Sequence, residues 1–137
     1  MKKIFLDTNF VIDYFVRDSY RSDSELLLNQ GKDLGMIFYI SFLSIANFAY
    51  IVRKQPQPVI LEMIKDCCKL FNIIPNTDSQ IMSAIELKAA DFEDALQYQA
   101  ALDAGCECII TRNEKDFGFS QIPVSSASDF VDRYFRG

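Results

Sequence analysis

The sequence predicts an α/β domain built on a mostly parallel sheet. Short, nearly continuous apolar runs such as Ile4-Phe5-Leu6 and Cys108-Ile109-Ile110 read as strands buried on both faces. They alternate with longer segments of helical period, the pattern of βαβ units. With 137 residues, half of them apolar, the chain can bury one sizeable core, so a single domain over residues 1–137 is expected.

Residues 3–6 form the first strand. Asn9 is placed to cap a helix that runs through Phe10-Val11-Ile12 and Tyr14-Phe15, with Asp13 and Arg17 on its solvated end. A helix over 22–29 is stopped by Gly31. The second strand covers 36–40, and Ser41 caps a helix reaching about residue 53. Pro56 and Pro58 interrupt the pattern, and Pro58 suits the first turn of a helix extending to about residue 70. A third strand at 71–74 closes at Pro75. Thr77 or Asp78 starts a helix through 88, and Asp91 starts another that runs through 103 and ends at Gly105. A fourth strand lies at 108–111 and a short fifth at 124–125. Ser126 or Ser128 caps the last helix.

In such sheets ligands gather beyond the carboxyl ends of the strands. Asp7 follows strand one, and Thr111-Arg112-Asn113 follow strand four. If those strands are neighbours, the two groups share a crevice. Ser44 and Asn47 lie three apart on one helix face, Asp91 and Asp94 three apart at a helix start, and Asn113 and Asp116 three apart after strand four. Thr8, Asn9 and Thr111 are placed to orient Asp7, and Arg112 and Lys115 to neutralise a phosphate. Plainer roles exist for some of these. Asp91 reads better as a helix cap, Asp116 can start a turn toward Gly118, and Ser44 and Asn47 can bond neighbouring backbone.

Composition narrows the chemistry. There is no His, which removes Ser-His-Asp and Cys-His triads and most catalytic zinc sites. Catalysis would rest on oxygen-bearing side chains, or on the Mg²⁺ or Mn²⁺ that such oxygens hold. A divalent ion between carboxylates can activate water and stabilise both phosphoryl and leaving oxygens without His. The cysteines, Cys67-Cys68 and Cys106-x-Cys108, lack zinc-site spacing and read as reduced core residues of a cytoplasmic protein. No signal peptide is expected, because only three apolar residues separate Lys3 from Asp7. The uncharged stretch 36–52 is 17 residues long and interrupted by Ser and Asn. It is short of the about 20 apolar residues of a span, so no membrane association is expected. A net charge of −5 argues against a general nucleic-acid coat protein.

The stretches "IFLDTNFVIDYF", "ISFLSIANFAYIVRK", "DFEDALQYQAALDAGCECIITRNEKDF" and "IPVSSASDF" carry a family resemblance over essentially the whole chain. The sequence resembles PIN-domain ribonucleases, most of all the VapC-like toxins of type II toxin–antitoxin pairs. The resemblance implies a three-layer α/β/α sandwich whose acids bind Mg²⁺ or Mn²⁺ and cleave RNA, leaving a 5′-phosphate and a 3′-hydroxyl. It also implies a homodimer and a cognate antitoxin protein that covers the site. The family's first acid falls on Asp7 and its third on Asp94, with Asp91 as an accessory. Its fourth falls at Asn113, with Asp116 close by. Its second, usually Glu, falls on Asn47. Asp7, Asp94 and Asp116 are therefore the expected catalytic acids and metal ligands, with Asn47, Asn113 and Asp91 as further ligands. Thr111, Arg112, Lys115, Asn9 and Ser44 are the expected substrate contacts. The neutral Asn47 leaves room for an alternative, a PIN fold kept as a binding module. A phosphotransferase built on Asp7 ranks lower, because such enzymes usually carry a second Asp where this chain has Asn9.

Overall fold

The computed structural model describes residues 2–136. Five strands form one parallel sheet: β1 (Lys3–Leu6), β2 (Ile37–Ser41), β3 (Asn72–Ile74), β4 (Cys108–Ile110) and β5 (Val124–Ser125), in the order β3-β2-β1-β4-β5. The helices are α1 (Thr8–Val16), α2 (Asp18–Asp33), α3 (Phe42–Ile51), α4 (Gln57–Leu70), α5 (Asp78–Leu87), α6 (Phe92–Asp103) and α7 (Ala127–Tyr134). A 3₁₀ turn, Glu114–Phe117, follows β4.

Alternate residues of a strand face opposite sides of its sheet, and β1 uses this fully. Ile4 and Leu6 pack into one core with Phe10, Val11, Leu27, Phe48 and Phe130, from α1, α2, α3 and α7. Phe5 points the other way, into a core with Tyr98, Ala100 and Ala101 of α6 and Phe117. Helices thus cover both faces, giving the expected α/β/α sandwich. From β1 the chain moves outward through β2 to β3, then returns to β4 on the other side of β1. The reversal lies between β1 and β4, where Leu6 is in register with Ile110. A crevice beyond the carboxyl ends of these two strands is the favoured ligand position in such a sheet.

Several local expectations change. The cap of α1 is Asp7, not Asn9, and its carboxylate accepts from the Thr8 N–H. Gly31 does not stop α2, which continues to Asp33. A Cβ at Gly31 would lie 2.4 Å from Cζ of Phe38, a ring buried in the core, so glycine here permits close helix–sheet approach. The turn out of α2 is made at Gly35, with φ +80°. The uncharged run 36–52 divides into β2 and α3, and no helix among the described residues is long and apolar enough to cross a membrane. The caps Ser41, Asp91 and Ser126 are as read, and Thr77 adds a reciprocal capping box with Gln80.

Candidate active site

Asp7 is held by both of the central strands. Its backbone N–H donates to the Ile110 carbonyl at 3.0 Å, extending the β1–β4 ladder by one bond. One carboxylate oxygen accepts from the Thr8 N–H at 2.9 Å. The other accepts from the Thr111 hydroxyl at 3.0 Å and from the Asn9 amide at 3.3 Å. The residue is 8% exposed. Burial is the largest influence on its carboxyl and raises the pKa; the Thr8 and Thr111 hydrogen bonds oppose that, and the charges of Asp116 and Asp91 add to it.

Asp7 opens onto a cavity of about 400 Å³ that it shares with Thr8, Asn9, Asn47, Glu93 and Asp94. Three elements build it: the start of α1, one face of α3 and the first turn of α6. Asp94 is half-buried there, its carboxyl pushed up to about 7 by desolvation and then by the charges of Asp91, Asp7, Asp116 and Glu93. Asp91 is the cap of α6, accepting from the Asp94 N–H at 3.1 Å. Among the described residues, none of Asp7, Asp91, Asp94 and Asp116 is ion-paired with a Lys or Arg. The cavity therefore concentrates uncompensated negative charge, and oxygen is the only donor atom its polar side chains offer to a cation. That chemistry fits a hard divalent cation. No group of three or more carboxylates or thiols among the described residues is arranged to hold one ion by itself, so neutral oxygens must complete a coordination shell.

Beneath the cavity lies a polar knot. Gln97, 2% exposed, donates to the hydroxyls of Thr8 at 3.0 Å and Ser44 at 2.8 Å and accepts from Ser41. Thr8 and Ser44 are themselves 2.9 Å apart. The knot ties α6 to the ends of β1 and β2, and no buried side-chain polar atom among the described residues lacks a partner. Gln97 was not among the residues expected at the site. Its position three residues after Asp94, among the apolar residues Ala95, Leu96, Tyr98, Ala100 and Ala101, was the available signal.

The model of the PIN domain family matches residues 3–115. The chain belongs to the PIN-domain family. Ribonuclease VapC1 of Aquifex aeolicus (strain VF5) is 30% identical over 143 residues, covering 97% of this chain and 96% of that protein. A toxin–antitoxin complex from Klebsiella pneumoniae is 25% identical with a TM-score of 0.66, over 90% of this chain and 97% of that one. The structure of FitAB bound to an IR36 DNA fragment superposes with a TM-score of 0.71 at 18% identity, over 90% and 94% of the two chains, a likeness of fold.

Within this PIN domain the expected site residues separate into groups. Asp7, Asn9, Asn47 and Asp94 wall the cavity. Asp91 and Asp116 are not on its wall but lie near enough for their charges to act on Asp7 and Asp94. Asn113 is exposed, and its backbone N–H bonds the Thr111 hydroxyl; Lys115 is exposed on the 3₁₀ turn. Two expected substrate contacts are buried. Ser44 is 0% and Thr111 1% exposed, and both spend their hydroxyls on the Gln97 knot and on Asp7. The Arg112 guanidinium donates to Asp13 through Nε at 2.6 Å. Asp13, expected in solvent, is 3% exposed and also pairs with Arg17 at 3.3 Å.

Proposed function

We propose that this protein is a divalent-metal-dependent endoribonuclease and the toxin of a toxin–antitoxin pair, acting in the cytoplasm. The observation that carries the reading is the pair Asp7 and Asp94 on one open cavity, at the reversal point of the sheet, with no cationic side chain to compensate them. The ribonuclease name of the Aquifex aeolicus relative supports it. Asp7 and Asp94 would hold Mg²⁺ or Mn²⁺, with the Asn47 carbonyl as a neutral ligand and Asp116 and Asp91 acting from outside the cavity wall. Such an ion supplies Lewis-acid stabilisation of the phosphoryl oxygens and polarises attacking water. Asn9 and Thr111 fix the Asp7 carboxylate in one orientation, so little reorganisation is needed when an ion or substrate arrives. The Gln97 knot holds Thr8, and through it the start of α1, in register with α6.

The solved toxin–antitoxin complex supports a protein antitoxin as partner. A homodimer is part of the proposal. α5 presents Ile81, Met82 and Ile85, 40%, 60% and 55% exposed, along one side, an apolar strip suited to a second copy. Light scattering on the purified chain reads the dimer directly.

The test of the main reading is inducible expression in a heterologous bacterium, comparing wild type with Asp7→Ala and Asp7→Asn. Growth arrest with new RNA ends for wild type alone is the expected result. Equal growth of all three strains at matched protein levels overturns it. The second reading, a binding module, is favoured by the neutral Asn47 on the cavity wall. It predicts no Asp7-dependent cleavage of any RNA by purified protein in Mg²⁺ or Mn²⁺.

A further inference from the structure

Asn9 walls a second cavity as well as the first. That second cavity is a pocket of about 160 Å³ between α1, α2, the end of β4 and the start of α7. The two spaces are joined by one hydrogen-bonded unit. The Asn9 amide donates to Asp7 and to the Thr111 hydroxyl at 3.1 Å, and its carbonyl accepts from the Arg112 N–H at 3.3 Å. The two cavities thus share the Asn9 side chain as a common wall, and Asp7 is hydrogen-bonded to it.

The second pocket has a floor of Ile110 and Phe10, and a wall in which the Arg112 guanidinium lies over the Tyr20 ring, 4.6 Å from its centroid. Uncharged polar groups enter from Asn9, Ser126 and Ser128. Its size is about half the lower end of the usual range for small-molecule sites, room for one ring system and not for a whole nucleotide. Two carboxylates, Asp13 and Asp23, also border it, and Asp13 already takes a hydrogen bond from Arg112. A phosphate is disfavoured in that setting. A flat, neutral heterocycle is favoured, since bases stack on aromatic rings and guanidinium planes and are read by amides and hydroxyls at their edges.

We propose that this pocket receives the base of an RNA nucleotide beside the scissile phosphate and gives the enzyme a base preference at that one position. The inference rests on the endoribonuclease reading above. Exposed Ser128 makes no side-chain hydrogen bond among the described residues, so Ser128→Phe fills the pocket without removing a partner. Tyr20→Ala removes the stacking surface, and Tyr20→Phe keeps it.

The experiment uses the purified full chain, a single-stranded RNA library of randomised sequence, Mg²⁺ or Mn²⁺, and sequencing of the cut ends. Asp7→Asn is the inactive control, and circular dichroism checks the fold of each variant. Wild type and Tyr20→Phe should favour one base at one fixed position next to the cut by about tenfold, the scale of discrimination from hydrogen bonds to a base edge held in place by the stack. Ser128→Phe and Tyr20→Ala should lose most of that preference. Wild-type cleavage without such a preference, or variants that keep it, overturns the pocket while leaving the nuclease standing; the cavity then serves something other than RNA. Absence of any Asp7-dependent cleavage overturns the nuclease reading and this inference with it.

Discussion

Asp94→Asn should make the metal-free protein more stable at neutral pH, although it deletes an expected catalytic group. The Asp94 carboxyl is raised from 3.8 to about 7, first by desolvation and then by four neighbouring carboxylates. At about 1.36 kcal/mol per unit the full shift corresponds to an upper bound of about 4 kcal/mol. Half-burial leaves much of the charge screened by solvent, which reduces the expected gain to about 1–2 kcal/mol. The side chain makes no hydrogen bond among the described residues, so the amide costs nothing there. Because the folded-state pKa lies above the unfolded one, the folded protein holds this proton more tightly between about pH 4 and pH 7. Wild-type stability therefore falls as pH rises through that window, and the variant's advantage should be full at pH 8 and nearly gone at pH 4. Urea unfolding in EDTA across this range measures it. Added Mn²⁺ should reverse the order, since only wild type keeps both acids for the ion. A variant no more stable than wild type at pH 8, or an advantage indifferent to acidification, would refute the electrostatic account of the cavity.

Three other substitutions probe separate parts of the argument. Gln97→Leu removes the acceptor of the buried Ser41 hydroxyl and the amide donor to Thr8 and Ser44, and should cost about 2–4 kcal/mol by urea unfolding, far more than an exposed Gln→Leu change. Gly31→Ala forces the Phe38 ring to shift and should cost about 1–3 kcal/mol in the same assay, whereas Gly118→Ala, whose Cβ would meet its nearest atom at 3.6 Å, should cost less. Asn47→Glu adds a carboxylate to the cavity wall and should tighten Mn²⁺ binding in calorimetry by tenfold or more. Unchanged affinity would remove Asn47 from the coordination shell.

The strands were legible because a strand covered on both faces must be apolar throughout, and 3–6 and 108–111 read so plainly. The caps Ser41, Asp91 and Ser126 were legible because capping is decided within four residues. What escaped depends on partners far away in sequence. Gly31 carries the usual signature of a helix stop, yet its meaning lies in the Phe38 ring on the next strand. Asp13 looks like a solvated helix residue until Arg112, 99 positions on, folds over it. Asp7 and Asp94 could be named from their places at element ends. Strand order placed only Asp7 and the Thr111 segment in one crevice, and Asp94 was assigned to it by resemblance. Gln97 could not be weighed in the same way, since its role appears only once Thr8, Ser41 and Ser44 converge on it.

Asp7 does two jobs with one carboxylate: it begins α1 and it supplies the first acid of the cavity. Loss of a helix cap costs about 1 kcal/mol when Ala replaces Asp, and much less when Asn does. A deficit of that size can lower the amount of protein a cell maintains several-fold. A harmless Ala strain is therefore ambiguous between silenced chemistry and diminished dosage, while a harmless Asn strain speaks to chemistry alone.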